Sequence, residues 1–466
     1  MVVMVVGVRP LLMEAARHAP PLAMAAAPQL EDDVAAIALV AGTAIGGGFL
    51  ALPATTAPAG CVPSALVLVA SSAVLLAEAF IVADLVIEMS QREGRPVSLS
   101  TCARNTLGQA GGVVVEVLFT LLMCSTLLAQ FAKGGSLVSD WIGLPYQTCC
   151  ALVALTLSCF SLGAPRGVVN RTNSRLAIGF VLSLVAMFVS GAPLADWTAL
   201  SRANWSAAYA SAPTLLQLLV YNEIIPTVCN MLNFDRGRVR RALCCGAAIL
   251  FVILSSWSAL GIGLAATLAD RVIAGVAPNV GADPLAALLA TRTPVGSAAS
   301  ALAVCAVSTT VIATNLALQT LFIDIADRSG RLAGQGSDKL SSPSSDIHSK
   351  IASALPKVAG WSLFRVCALP LAIVTTLTFA SVSPNAFFLA IDFAGAYPLA
   401  LLWGVSPPLM ALAAAKKSGV RLSPERVLML VCLGVAAIVF VCSNMFVDVS
   451  SLVASNLASG VRWRLA

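Results

Sequence analysis

Charge is scarce in this chain. Only 11% of its 466 residues are Asp, Glu, Lys or Arg, where an ordinary soluble domain is about a quarter charged. With 58% hydrophobic residues and a mean hydropathy of +0.90, that scarcity excludes a water-soluble fold. It predicts an all-α integral membrane protein whose bundle takes up nearly the whole length. Histidine is rarer still: of the two, His18 lies in the N-terminal tail and His348 in a polar loop. No span therefore carries a histidine as proton relay or ligand. The thirteen cysteines include the adjacent pairs Cys149-Cys150 and Cys244-Cys245 but no C-x-x-C. That excludes a zinc spacing and a disulfide framework and predicts small apolar packing residues. Nucleophile elbow, P-loop, Rossmann fingerprint and zinc motif are all missing, so the sequence predicts no enzyme, no catalytic residue, no cofactor and no metal site.

The tail "MVVMVVGVRPLLMEAARHAPPLAMAAAPQL" lacks serine and threonine. A secretory signal places charge before its apolar core, and here the apolar residues come first. An organellar presequence would be serine-rich. The tail leaves such a presequence open, and the membrane stays open between a cell or inner membrane and a plastid envelope.

What the chain does have is hydrophobic runs. A helix crosses a bilayer with about 20 apolar residues. Eleven runs qualify: 34–58, 64–89, 111–133, 147–164, 176–194, 213–231, 242–266, 297–323, 361–383, 385–414 and 427–447. The tenth is long and contains Pro398, Pro407 and Pro408. Lys and Arg alternate in the segments between them, 21 on the side of the N-terminus and six on the other, with Arg365 at the start of the ninth run left aside. The positive-inside rule then puts the N-terminus inside. The net charge of +6 is a topogenic signal and gives no reason to invoke nucleic acid. The expected organisation is an inside tail at 1–33, a bundle at 34–447 and an outside tail at 448–466. Two polar segments interrupt the bundle: a flexible inside loop at 324–360, and an outside segment at 267–296 with a short helix and turn.

Two spans carry a break in their own middle. "GTAIGGGFLALP", Gly42 to Pro53, holds four glycines and a proline in twelve residues. Gly costs roughly 1 kcal/mol relative to Ala in a helix interior and Pro about 3. The Gly42/Gly46 spacing also suits close helix–helix contact. The other reading is unwound backbone, which survives in a membrane only where protein buries it or a cavity receives it. Glycine backbone beside a helix N-terminus suits a carboxylate. The sixth span, "QLLVYNEIIPTVCNMLN", contains Tyr221, Asn222, Glu223 and Pro226, and its proline disfavours helix before it. If spans 1–5 and 6–10 are inverted repeats, the two breaks correspond, and paired breaks point to a secondary-transporter binding site.

The same residues carry a resemblance. "VAGTAIGGGFLALPATTAPAG" resembles the first span of the hydroxy/aromatic amino acid permeases, the tryptophan and tyrosine transporter family. "NRTNSRLAIGFVL", "VYNEIIPTVCNML" and "IDFAGAYPLALLWGVSPPLMA" resemble its fifth, sixth and tenth spans. The resemblance covers roughly 34–447. It implies eleven helices, a five-plus-five inverted repeat with one extra helix, and cation-coupled amino acid uptake. The family often has a histidine four residues before the sixth-span proline; here that position is Asn222, followed by Glu223.

The expected substrate contacts are Gly42, Thr43, Ala44, Ile45, Gly46, Gly47 and Gly48 in the first break, and Tyr221, Asn222, Glu223, Ile224 and Pro226 in the sixth. Gln130 in the third span is a further candidate. An ionisable residue within a span costs on the order of 2.5–3.5 kcal/mol on insertion scales, so Glu78, Glu116, Glu223 and Asp392 each call for a role or a partner. Asp84 and Glu88, near Arg92, read as solvated or paired. Glu223, Glu78 and Asp392 are the candidate proton carriers; Thr309 and Thr310 of the eighth span are the candidate cation ligands. Ser308, Asn315 and Gln319 share one face of that helix and suit interhelical hydrogen bonds. The expected function is proton-coupled, alternating-access uptake of a neutral, aromatic amino acid of the tyrosine or tryptophan kind. The alternatives are sodium coupling, or a membrane receptor or scaffold that keeps the fold without transporting. The expected partners are the amino acid, the coupling proton or sodium, and the lipid bilayer.

Overall fold

The computed structural model describes residues 21–43, 46–273, 284–289, 293–338 and 367–458. Among the described residues the regular structure is helical, with one isolated β-bridge between Gly60 and Ala203. Eight helices are long and apolar enough to cross a membrane: Cys61–Glu93, Leu99–Ile142, Tyr146–Gly163, Arg166–Leu194, Arg236–Leu268, Pro294–Ala326, Ala386–Ser418 and Pro424–Ser451. A bent pair, Leu30–Thr43 with Gly47–Thr56, turns by 45° at its break and makes a ninth if counted as one span. Two further expected spans take other forms. Residues 213–231 are split between Trp205–Leu218 and Ile225–Met231. Of 361–383, the described part is the short apolar helix Cys367–Ala380.

Local chemistry explains many of the helix ends. Gly94 and Gly419 adopt left-handed φ of 65° and 66° and terminate the helices Cys61–Glu93 and Ser406–Ser418, the usual role of glycine at that position. Asp235 accepts from the Arg238 N–H at 2.9 Å at the start of helix Arg236–Ile273. Those N–H donors hold its carboxyl below the ordinary range. Inside Leu99–Ile142, Gly108 has a φ of 82° and bends the helix. Across that bend Arg104 pairs with Glu116 at 2.7 Å, so the structure gives Glu116 a partner.

The expected inside loop at 324–360 begins later than the sequence suggests. Helix Pro294–Asp338 runs through its first part. No proline occurs between 324 and 338, and extending an existing helix needs no new nucleus. The rest of that loop, His348 included, lies outside the described residues. On the other side, Pro284–Leu289 forms a short helix within 267–296. The last helix, Pro424–Ala458, continues past 447. In the tenth span, an eleven-residue π-helical stretch, Gly395–Val405, contains Pro398, and Pro407 opens the following helix.

The chain divides into two compact units: Met1–Leu122, Ala177–Ala303 and Ile391–Ala466 form one, and Met123–Leu176 with Val304–Ala390 form the other. The membership follows a five-span offset. The first and second spans share a unit with the sixth and seventh; the third and fourth, from Met123 on, share one with the eighth, from Val304, and the ninth.

In the first unit, helix Arg236–Ile273 packs against Pro21–Thr43, Leu52–Thr56 and Cys61–Glu93. Glycine permits the closest approach there: a Cβ at Gly246 would lie 2.5 Å from Val40 Cβ and 3.1 Å from the Ile37 carbonyl oxygen. Asp84 pairs with Arg240 and Arg426, and Glu88 with Arg92.

In the second unit, Gly135 sits against Cys150, whose Sγ would be 2.2 Å from an added Cβ. Asn315 donates to Ser158 Oγ and Ser161 Oγ at 3.2 and 3.1 Å. Arg166 donates to Gln319 at 2.5 Å, and the Tyr146 hydroxyl donates to the carbonyls of Ala380 and Ser383 at 2.7 and 3.1 Å. Lys133 lies over the rings of Phe387 and Phe388, 5.2 and 6.0 Å from their centroids. The polar face expected on the eighth span thus makes interhelical hydrogen bonds through Asn315 and Gln319.

Candidate functional site

The two breaks have the same construction. In the first span a helix ends at Thr43, Gly46 is extended at φ −145° and ψ −159°, a 3-10 turn covers Gly47–Ala51, and a short helix Leu52–Thr56 follows. In the sixth, helix Trp205–Leu218 ends, Tyr221 takes φ −136° and ψ 3°, a 3-10 turn covers Asn222–Ile224, and helix Ile225–Met231 follows. Each restarted helix carries proline in its second position, Pro53 and Pro226. The missing N–H costs nothing there, because the first turn of a helix has no intrahelical acceptor for it. Proline therefore favours restarting the helix while opposing its continuation from before the break.

The breaks meet within the first unit. The 3-10 turn at Gly47–Ala51 packs against Trp205–Leu218; a Cβ on Gly48 would lie 2.7 Å from Leu218 Cδ2. The turn Asn222–Ile224 packs against both Pro21–Thr43 and Cys61–Glu93. The first break is also fixed from the seventh span. Trp257 is buried and its indole N–H donates to the Phe49 carbonyl at 3.0 Å. Its ring stacks on Phe49 at 5.1 Å and 14°, and Phe180 meets Phe49 edge-on at 5.5 Å. Trp257 gives a carbonyl near the break a partner inside the protein, which a membrane otherwise penalises. Its only signal in the sequence is a tryptophan amid the small residues "SSWSAL".

Several polar groups of the first unit, two of them in the sixth-span break, are left without protein partners. Among the described side chains, both Glu78 carboxyl oxygens, both Asn222 amide atoms and the Tyr221 hydroxyl are buried and unpaired. Glu78 and Asn222 have no exposed surface. Leaving such a group unpaired costs about 1–3 kcal/mol, so each calls for an explanation in a ligand, a proton or water. Glu223 is half-buried in the turn itself.

The other expected residues are distributed as follows. Gly42 and Thr43 end the first helix, with the Thr43 hydroxyl donating to the Leu39 carbonyl at 2.7 Å. Ala44 and Ile45 lie outside the described residues. Asp392 belongs to the first unit and accepts from Thr214 at 3.4 Å; nearby in sequence, the Tyr397 hydroxyl donates to Asp448. Gln130, Thr309 and Thr310 belong to the second unit. Gln130 is buried with its Oε1 unpaired. The hydroxyls of Thr309 and Thr310 donate to the Ala306 carbonyl of their own helix at 3.1 and 2.8 Å.

A helical membrane bundle with two matched broken spans, lined by unpaired polar groups, defines a class: membrane transport proteins rather than enzymes. The model of the tryptophan/tyrosine permease family matches residues 31–448, and the chain belongs to that family. It is similar to the tyrosine-specific transport system 2 of Haemophilus influenzae, with 24% identity over 233 residues, 47% of this chain and 55% of that protein. The chain thus spans about half the length of the curated relative it matches. Among the solved structures that resemble it are two transporters. One is a manganese transporter of Eremococcus coleocola, at 13% identity and TM-score 0.42, covering 88% of this chain and 93% of that one. The other is a Na+-coupled sialic acid symporter, at 11% identity and TM-score 0.44, covering 88% and 95%.

Proposed function

We propose that the chain is a secondary active transporter of a neutral aromatic amino acid, coupled to protons and working by alternating access. One observation carries this reading: two breaks of matching construction meet in one unit, beside buried polar groups that lack partners. The substrate carboxylate meets the backbone of Gly46–Gly48, where the glycines themselves carry no side chain to occupy the space. The ammonium meets carbonyls of the sixth-span break together with Glu223. Asn222 and Tyr221 supply the remaining hydrogen bonds. The name of the bacterial relative makes tyrosine the first substrate to try.

Glu223 and Glu78 are the proposed proton carriers. One proton moving down 100 mV supplies roughly 2.3 kcal/mol, and one pH unit adds about 1.4. Their sum, about 3.7 kcal/mol, supports several-hundred-fold accumulation at one proton per substrate. Purified protein titrated with a full amino acid panel tests the binding half: saturable binding of tyrosine or tryptophan is expected, and none for any amino acid would end the proposal. Exchange in proteoliposomes then separates a transporter from a receptor, which binds without exchanging. Accumulation that requires sodium and ignores a pH gradient would replace the proton, with Thr309 and Thr310 the next residues to substitute.

A further inference from the structure

Away from the breaks, the first unit holds a pocket of about 200 Å³ where three helices end or begin on the arginine- and lysine-rich side. Its walls come from the end of Cys61–Glu93, the start of Leu99–Ile142 and the end of Ser406–Ser418. A closed triangle of polar contacts joins them. Arg92 donates to Ser418 Oγ at 3.2 Å. Lys417 Nζ donates to the Asn105 carbonyl at 3.0 Å. The Asn105 amide donates to Glu93 at 2.6 Å.

The charges in this triangle do not cancel. Glu93 is satisfied on both oxygens, by Asn105 and by Arg95 at 2.8 Å. Arg92 pairs with Glu88 at 2.5 Å through one nitrogen. Lys417 has no carboxylate partner among the described residues. The pocket therefore offers one unneutralised ammonium, the remaining donors of a guanidinium and a hydroxyl, with Met89 as an apolar wall. Cationic pockets between membrane helices at the lysine-rich side suit the head groups of anionic lipids.

We infer that this pocket binds a phosphate-bearing anion, held chiefly by Lys417 and Arg92, and that an anionic phospholipid head group is its occupant. The site is separate from the broken spans, and its failure would leave the transport proposal standing.

The test uses the full chain in detergent, titrated with short-chain phosphatidylglycerol, short-chain phosphatidylcholine and inorganic phosphate, with thermal stability as the readout. Phosphatidylglycerol should raise Tm saturably and phosphatidylcholine should not. Lys417→Gln should weaken the apparent affinity about fivefold, and Lys417→Glu about thirtyfold, at the usual worth of one charge near an anionic surface. Lys416→Gln, next along the chain, should change it less. An equal response to inorganic phosphate, with the same dependence on Lys417, keeps the anion site and identifies free phosphate as its occupant. If Lys417→Glu does not fold, Lys417→Gln and Arg92→Gln carry the test. Equal binding of the two lipids overturns the inference. So does wild-type affinity in Lys417→Gln and Arg92→Gln: the two cations would then only balance the carbonyl ends of their helices.

Discussion

The two units treat their buried polar groups differently. In the second, helices supply one another: Asn315 reaches Ser158 and Ser161, Arg166 reaches Gln319, and Tyr146 reaches two carbonyls of a neighbouring segment. What stays unpaired there includes single acceptor oxygens, on Gln130 and Asn315. In the first, the carboxyl of Glu78 and, in the sixth-span break, the amide of Asn222 and the phenol of Tyr221 remain unpaired. A membrane bundle tolerates interrupted backbone and unpaired groups only where something other than lipid meets them. On the proposed reading, the substrate meets these groups of the first unit. The consequence is that substitutions in the two units should separate binding from stability.

The largest effect is expected from Gly46→Leu. A side chain would fill the space the carboxylate must enter, so binding should fall below measurement while the protein still inserts and keeps its Tm. A folded Gly46→Leu protein with native affinity would favour helix packing as the reason for these glycines. Glu223→Gln comes next. It should abolish uptake driven by a pH gradient while sparing some exchange, since a neutral amide can contact substrate but cannot carry a proton. Wild-type accumulation by this variant under a pH gradient would move proton coupling to another group, with Glu78 first in line.

At Gly135 and Asn315 in the second unit the effects should be on stability alone. Gly135→Val would place a Cβ 2.2 Å from Cys150 Sγ and 3.0 Å from its backbone. Overpacking of this kind costs typically 1–3 kcal/mol, read as a lower Tm at unchanged substrate affinity. Asn315→Ala should be the mildest, removing two interhelical hydrogen bonds worth about 0.6 kcal/mol each. A loss of affinity in Asn315→Ala without a fall in Tm would break the distinction between the units.

Much of this was legible in the sequence because membrane physics is strict. Hydrophobic runs must be about a bilayer long, so the eight long apolar helices could be read directly. The breaks were legible because glycine clusters and prolines are costly in a helix. Partners distant in the chain were not. Nothing in the sequence pairs Trp257 with the Phe49 carbonyl, or folds Arg104 back onto Glu116 across Gly108, since each depends on how separate segments approach. The helix beyond 324 was missed for another reason: serine, glycine and charge read as loop, but a helix already formed extends through them at small cost per residue. The π-helical stretch of the tenth span likewise carries prolines as its only signal.

The most direct test of the central claim is counterflow. Proteoliposomes loaded with unlabelled tyrosine or tryptophan, with no ion gradient imposed, are given a trace of the labelled amino acid outside. The account predicts saturable accumulation of label by the wild-type protein and none by Gly46→Leu at the same reconstituted amount. The absence of exchange for every amino acid in a full panel, or equal exchange by Gly46→Leu, would contradict it.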